Sequence, residues 1–359
     1  MRLPVELLGR IFRECEDTDL RCAARANTVA NVEAERVLYE SLAFEHVVPL
    51  LRLRLALKRS ADTRRTRRLR TIRRLVIRLD NLTPAFDMYR QTYGSLFFLC
   101  RKAMLREVAY FIAGCPCLSS LELHVPMLPG ASEPLDPRLL LTATFELETL
   151  DLDLPYTHSL AAFLMMQSRS LKNLKLIPPV RPMLPFVPTP HLPRLQRLDT
   201  VEELSTLWPC VRSLRVASIF TDVLGLIPRA GPQLSKLTDL HVLRINALTS
   251  PNTVFGVASY LPMLRGLTID VSSQPNTARD TPWDDDSWAV AFSRMNALVN
   301  FRLRLKQLRR RAHPWDARKK PALEKWHSGC PTLRHVAFPG EQDHWSWNSH
   351  RQIWREPTA

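Results

Sequence analysis

The most regular feature of this chain is a short apolar phrase, apolar-x-x-apolar-x-apolar, which recurs from residue 72 onward. Two clear copies are LETLDL from Leu147 and LKNLKL from Leu171. The copies begin at Ile72, Leu118, Leu147, Leu171, Leu195, Val211, Leu240, Leu264, Leu298 and Leu333. Because apolar and polar residues alternate at the end of the phrase, each copy is predicted to form a short, half-buried strand.

The residues in front of the phrase indicate how each strand is entered. An apolar residue usually stands three positions earlier, and five copies also carry a proline two positions earlier. These prolines are Pro116, Pro193, Pro209, Pro262 and Pro331. We expect a helix to end there, followed by a tight turn and the strand. Most intervals between copies from Leu118 onward fit the period of leucine-rich repeats, so residues 72–340 are predicted to form an irregular α/β solenoid with a parallel concave sheet.

Residues 3–44 show a different pattern, in which apolar residues recur at helical spacing in three short segments. The apolar stripe of the first segment consists of Leu7, Leu8, Ile11, Phe12 and Cys15. Thr18 and Asn31 are the expected N-caps of the second and third helices. Helices this short are marginal in isolation, so their stripes must be buried by the rest of the chain or by a partner.

The three helical segments together resemble the F-box, through the sequences LPVELLGRIF, TDLRCAARA and AERVLYESL. With the repeats, the chain resembles fungal F-box proteins that carry divergent leucine-rich repeats. The resemblance implies that the F-box binds the Skp adaptor of an SCF ubiquitin ligase, and through it the cullin, while the repeats hold the protein client. By position, the implied adaptor-facing residues are Leu3, Pro4, Glu6, Leu7, Ile11, Phe12 and Leu20. The Cys-Arg-x-Trp sequence usual in the second half of this motif is replaced here by RANTVANVEAER.

The predicted domains follow from these patterns. We expect a three-helix F-box over residues 1–45, a helical and basic connector over 46–71, the repeats over 72–340 and a capping tail over 341–359. Within the connector, residues 59–71 have almost no apolar content and are predicted to be exposed. Five of the eight tryptophans lie after residue 314, and we expect them to cover the end of the repeats.

The residues between the inward leucines of the repeats are the candidate client contacts, because they should face the open side of the sheet. They are Glu122, His124, Asp151, Asp153, Lys175, Asp199, Arg215, Arg244, Asp270, Arg302 and Arg304. Acidic residues are frequent in the early copies and basic residues in the later ones. This order predicts a client with the complementary polarity.

The net charge of +15 is regional rather than uniform. Arg52 to Arg78 contains twelve basic residues against the single acidic Asp62, and a second basic region runs from Arg302 to Lys325. The run RRTRRLRTIRR is consistent with a solvated connector, a nuclear-import signal or a phosphate-binding arm. Neither region interleaves aromatic residues for base stacking, which makes nucleic acid a disfavoured partner.

Other candidate chemistry in the sequence is weak. The thiols of Cys115 and Cys330 occupy an apolar slot of the repeat, which favours core packing over zinc binding. The sequence has no phosphate loop, dinucleotide fingerprint or nucleophile elbow, so we expect neither catalysis nor a cofactor. No apolar run is long enough for a membrane span, and the seven scattered cysteines favour a reduced, cytoplasmic or nuclear setting.

Two functions of other classes stay open beside the ligase adaptor. One is a leucine-rich-repeat scaffold for protein interactions that is unrelated to ubiquitin. The other is a basic nucleic-acid-binding protein. Adaptor binding separates the first from the F-box prediction, and a steep loss of affinity with salt is the mark of the second.

Overall fold

The computed structural model describes residues 5–79, 105–125, 140–154, 156–176, 190–201, 211–217, 231–245, 254, 256, 258–271, 285–305, 319–338 and 345–356. These residues form a mixed α/β protein whose strands are mostly parallel. The chain divides into two compact units, Met1–Arg194 and Leu195–Ala359. Of the helices in the described part of the chain, none has the length and apolarity needed to span a membrane.

The first unit begins with the helices α1 Val5–Arg13, α2 Asp17–Ala26 and α3 Thr28–Glu40. They share a small core formed by Phe12, Leu20, Ala30 and Ala34. Leu8, Val37 and Leu38 are partly buried and pack against this core. The three helices therefore bury one part of their apolar surface among themselves.

The caps of these helices differ from those expected. The Asn27 side chain caps α3 by accepting a hydrogen bond of 2.8 Å from the Ala30 N–H. Asn31 lies inside α3, where its side-chain amide donates a 2.6 Å hydrogen bond to the Ala24 carbonyl and ties α3 to α2. The N-caps predicted at Thr18 and Asn31 are wrong, because both helices begin before these residues.

Two further helices follow the strand β1 Ser41–Phe44: α4 Val47–Arg59 and α5 Asp62–Thr71. The helical segment expected in the connector 46–71 is thus present as α4. Most of residues 59–71, the stretch predicted to be exposed, form a second helix, α5. No residue of α5 is buried, so apolar packing does not explain its position.

The position of α5 is explained by Glu35 of α3, because its carboxylate forms ion pairs with three arginines of α5. Its side chain is only 7% exposed, and it accepts hydrogen bonds from Arg64, from Arg67 at 2.7 Å and from Arg68 at 2.6 Å. Burial alone acts to raise the pKa of Glu35, but the three guanidinium groups outweigh it and lower this pKa to about 2. A charged hub therefore joins α5 to the N-terminal helices.

The strands of the first unit are β1, β2 Arg74–Arg78, β3 Ser120–His124, β4 Thr149–Leu152 and β5 Asn173–Leu176. Each pairs in parallel with the next. The register aligns Leu75, Leu121, Leu150 and Leu174 in one fully or almost fully buried row. The residues between the leucines lie on the opposite face, as the alternation of the phrase predicted.

The covered face of these strands packs against helical segments that lie between the copies. Residues 105–113 are helical, and α6 spans His158–Met166. Ile112, Phe163 and Leu164 are fully buried. Cys115 is also fully buried, and burial raises the pKa of its thiol to about 12, which confirms its interpretation as a core residue.

Gln167 is a buried polar residue that fixes the chain in front of β4. Its Nε2 donates to the Phe145 carbonyl at 3.2 Å, and its Oε1 accepts from the Leu147 N–H at 2.8 Å. Gln167→Leu should therefore lower the free energy of unfolding by about 2–3 kcal/mol, since it leaves two backbone groups unsatisfied. Urea denaturation followed by circular dichroism measures this loss. Gln196→Leu, at an exposed position, is the control. An equal loss in both variants would argue against a stabilising role of the two Gln167 hydrogen bonds.

In the second unit the strands β6 Arg197–Val201, β7 Ser213–Ala217, β8 Asp239–Ile245, β9 Gly266–Val271, β10 Asn300–Leu305 and β11 His335–Ala337 pair in parallel. Two antiparallel strands follow, β12 Trp345–Asn348 and β13 Ile353–Arg355. They form a hairpin beside β11, within the predicted tail.

The register corrects the frame of one copy of the phrase. Leu214 on β7 aligns with Leu240 on β8, and Leu240 aligns with Leu267 on β9. Leu240 therefore occupies the middle apolar position, and this copy begins at Leu237 rather than at Leu240. Consequently His241, and not Arg244, stands beside Arg215.

The helices of the second unit, α7 Asp285–Ser293 and α8 Lys319–Gly329, pack a cluster of aromatic residues against β10. Trp288, Phe292, Phe301 and Trp326 are all buried, with ring centroids 4.9–6.3 Å apart. Trp345 and Trp354 of the terminal hairpin are buried too, whereas Trp315 lies outside the described residues. Aromatic packing thus stabilises this end of the chain.

Candidate functional site

The surface of α1 is the first candidate site, and it divides the predicted apolar stripe in two. Leu7 and Ile11 are 44% and 47% exposed and lie one helical turn apart. Phe12 and Leu20 are buried in the three-helix core. The prediction that Phe12 and Leu20 face a partner is therefore wrong. Leu3 and Pro4, and the side chain of Glu6, lie outside the described residues.

A second candidate site lies on the polar face of β3 and β4, opposite the buried leucines, where the sequence predicts four client contacts. Glu122 of β3 and Asp151 of β4 are in register. His124 stands two residues after Glu122 at the end of β3, and Asp153 stands two residues after Asp151, just beyond β4. His124 Nε2 lies 3.2 Å from Glu122 Oε1 and 3.6 Å from Asp151 Oδ1, while its Nδ1 lies 3.7 Å from Asp153 Oδ2. The structure thus brings three predicted carboxylates together around the imidazole of a fourth predicted residue, His124.

Two further cations complete this cluster. Lys175 of β5 donates a 2.8 Å hydrogen bond to Asp151 Oδ2, and Arg78 of β2 pairs with Glu122. Burial acts to raise the pKa of Asp151, but His124 and Lys175 outweigh it and lower this pKa. In turn Asp151, and then Asp153, raise the pKa of His124 to about 10. The cluster therefore holds a charged imidazolium at neutral pH.

Glu122, His124 and Asp151 could also act as metal ligands, because one donor atom of each lies within 4.8 Å of the others. Carboxylate oxygen and imidazole nitrogen suit several divalent ions. A metal would require the loss of the proton from His124, and it would compete with Lys175 and Arg78 for the same carboxylates. The observed contacts describe a network of ion pairs.

The raised pKa of His124 predicts a pH dependence. Its ion pairs should contribute stability fully below the unfolded-state pKa of about 6.5 and lose it as the pH rises through about 10. His124→Gln should remove this alkaline decline, which thermal unfolding between pH 6 and pH 11 can follow. In NMR spectra the His124 ring should titrate near pH 10; titration near 6.5 would show that the carboxylates do not hold the proton.

A third candidate site is a groove of about 550 Å³ among the described residues of the second unit. Its lining comes from strands β6 to β11, from two side-chain rows that alternate with the buried leucines. One row, from β6 to β11, comprises Arg197, Ser213, Asp239, Gly266, Asn300 and His335. In the other, Arg215, His241, Thr268, Arg302 and Ala337 follow one another from β7 to β11. The sequence placed only Arg215 and Arg302 of these residues at a candidate site.

The remaining predicted contacts of the second unit surround this groove. Asp199 is almost fully buried next to it, and its Oδ2 lies 3.6 Å from Arg215 Nη1. Arg244, Asp270 and Arg304 lie on β8, β9 and β10, and their side chains are outside the described part of the structure. Sequence reasoning missed His241 because of the frame chosen at Leu240, since a start at Leu237 and a start at Leu240 both fit the period of the repeat.

Comparison with known proteins assigns no family to this arrangement. The chain matches no protein-family model, and no curated protein matches it either.

Proposed function

We propose that this chain is the non-catalytic substrate-recognition subunit of an SCF-type E3 ubiquitin ligase. Its N-terminal helices would act as an F-box that binds the Skp adaptor, and through it the cullin. Its strand-and-helix repeats would act as a leucine-rich-repeat solenoid that binds a protein client. The observation that carries the proposal is the pair Leu7 and Ile11, which stays exposed on the helix that resembles the F-box.

The exposed pair has the form that helix recognition requires. Apolar side chains at positions i and i+4 lie on one face of a helix and can enter a groove of a partner together. Beneath them Phe12 and Leu20 anchor α1 on α2 and α3, so the exposed pair is presented by a packed scaffold. This arrangement supports an adaptor-binding role for Leu7 and Ile11, and a supporting, buried role for Phe12 and Leu20.

The strand faces support the client-binding part of the proposal. The parallel register sets polar side chains of neighbouring strands side by side on the face opposite the buried leucines. In the first unit the carboxylates of Glu122, Asp151 and Asp153 are paired with His124, Lys175 and Arg78. In the second unit the corresponding face carries Arg197, Arg215 and Arg302. Such a surface suits a client whose charges are complementary.

Alternative functions have less support from the described contacts. Three arginines of the basic run bind Glu35, so they form part of a folded helix rather than a free phosphate-binding arm. A scaffold unrelated to ubiquitin would use the same strand faces but would not bind the adaptor. Copurification with a recombinant Skp adaptor tests the proposal, and the absence of any complex would leave the scaffold function.

A further inference from the structure

The groove of the second unit has a floor of small residues between cationic walls. Gly266 and Thr268 of β9 lie at its centre, while Arg215 lies to one side on β7 and Arg302 to the other on β10. Neighbouring strands are about 4.8 Å apart, so a group seated over Thr268 is flanked directly by His241 and Arg302. A Cβ at Gly266 would lie 2.6 Å from Asp239 Oδ1, so the glycine leaves room for that carboxylate, while the small Thr268 side chain lies two residues further along β9.

Positive charge dominates the lining. It contains three arginines against the single carboxylate of Asp239, and its two histidines add imidazole nitrogens as hydrogen-bonding groups. Asp239 Oδ2 accepts a 2.8 Å hydrogen bond from the Thr238 hydroxyl, and Asp199 lies near enough to offset part of the charge of Arg215. Arg197 and Arg302 add two further guanidinium groups, so the groove keeps a net positive charge.

Neutral hydrogen-bond donors lie between these charges. Ser213 and Thr268 contribute hydroxyl groups, and Asn300 contributes a side-chain amide. Guanidinium groups prefer carboxylate and phosphate oxygens, which they bind with paired hydrogen bonds. The lining thus has the chemistry of a site for an anionic, oxygen-rich group.

The length of the groove favours an extended peptide over a small ion. It crosses six strands, or about 24 Å, which corresponds to an extended segment of about seven residues. We propose that this groove binds an acidic segment of the protein client, with a carboxylate or phosphate group seated over Thr268 between His241 and Arg302. The identity of the occupant as a client rests on the proposed function, whereas the binding of an acidic peptide does not.

The test uses the purified full-length chain without the adaptor and measures fluorescence anisotropy with short labelled peptides. One peptide is rich in glutamate, a second replaces one glutamate by phosphoserine, and a third carries glutamine in place of every glutamate. We expect both acidic peptides to bind and the glutamine peptide to bind at least about ten-fold more weakly. Tighter binding of the phosphoserine peptide assigns the seat over Thr268 to phosphate, and tighter or equal binding of the glutamate peptide assigns it to carboxylate.

Charge reversal locates the site. Arg302→Glu and, separately, Arg197→Glu should weaken the acidic peptides at least about ten-fold, since each places a carboxylate in the lining. Arg351→Glu is the matched control, because it makes the same change of net charge at an exposed turn between β12 and β13. Equal weakening by Arg351→Glu, or none by either groove variant, would overturn the proposal. Circular dichroism establishes that each variant is folded before its affinity is counted.

Two further outcomes separate this proposal from its neighbours. If a single-stranded oligonucleotide binds in an Arg302-dependent manner and the acidic peptides do not, the groove is a nucleic-acid site and the peptide proposal is wrong. If the acidic peptides bind as expected but the chain does not capture the Skp adaptor, the groove is a peptide-binding site and the proposed ligase function is wrong. Arg302→Glu should leave adaptor capture unchanged, because it lies in the other compact unit from α1.

Discussion

Replacing Leu7 and Ile11 together by aspartate is expected to abolish capture of the Skp adaptor while the chain stays folded. Burial of one such side chain in an interface contributes about 1.5–3 kcal/mol, so loss of both should weaken binding by about 100-fold or more. The two side chains are about half exposed, and their replacement should affect folding little. Copurification and isothermal titration with recombinant adaptor measure the effect.

The control for this experiment is Val290→Asp. Val290 is 54% exposed on α7, so this variant also places an aspartate at an exposed apolar helix position, but in the other unit. It should bind the adaptor as the wild type does. Equal recovery of the adaptor with the wild type and with the Leu7→Asp, Ile11→Asp double variant would refute the F-box assignment. Phe12→Asp is unsuitable for this purpose, because it would place a charge in the three-helix core.

Glu35→Ala should destabilise the protein about as strongly as Gln167→Leu. Removal of this carboxylate leaves Arg68, whose side chain is 14% exposed, next to Arg64 and Arg67 with no compensating charge. Breaking a buried ion pair costs about 3–5 kcal/mol, but Arg64 and Arg67 are partly solvated. We therefore expect a loss of about 2–3 kcal/mol and faster amide hydrogen exchange in residues 62–71.

The same hub predicts a response to acid. Because the pKa of Glu35 is lowered to about 2, its contribution is complete above the unfolded-state value of 4.5 and is lost as the pH falls through about 2. Glu35→Gln should flatten the stability profile in this range. Glu14→Ala, an exposed position at the end of α1, serves as the control. Unchanged hydrogen exchange of α5 in Glu35→Ala would show that other contacts hold this helix.

The strands β2 to β11 could be predicted from the sequence because each lies at one copy of the apolar phrase. The third predicted helix wrongly includes residues 41–44, which form β1, and β12 and β13 lie outside the copies. The frame of the copy near Leu240 could not be predicted, since Leu237 and Leu240 are both leucines three residues apart and each fits the first position of the phrase. Only pairing of Leu240 with Leu214 and Leu267 decides between the frames. The frame that starts at Leu240 predicts Arg244 as a candidate contact, whereas the frame that starts at Leu237 predicts His241.

The local sequence pattern also could not predict which residues of the apolar stripe are buried, or that the basic run forms a helix held by Glu35. Leu7 with Ile11, and Leu8 with Phe12, have the same helical spacing, so spacing alone cannot tell which pair faces the core. The structure buries Phe12 and partly buries Leu8. Similarly, α5 has no apolar face to reveal it, and the contact that positions it is with Glu35, a residue distant in sequence.

The shared register of the strands has a consequence for how binding preferences can diverge. Arg215, His241, Thr268 and Arg302 each stand on a separate strand, while the leucines beneath them point to the opposite side. A substitution at one of these surface positions changes one contact without disturbing the packed layer below. Descendants of such a gene can therefore acquire new targets in single mutational steps, with each step almost neutral for folding.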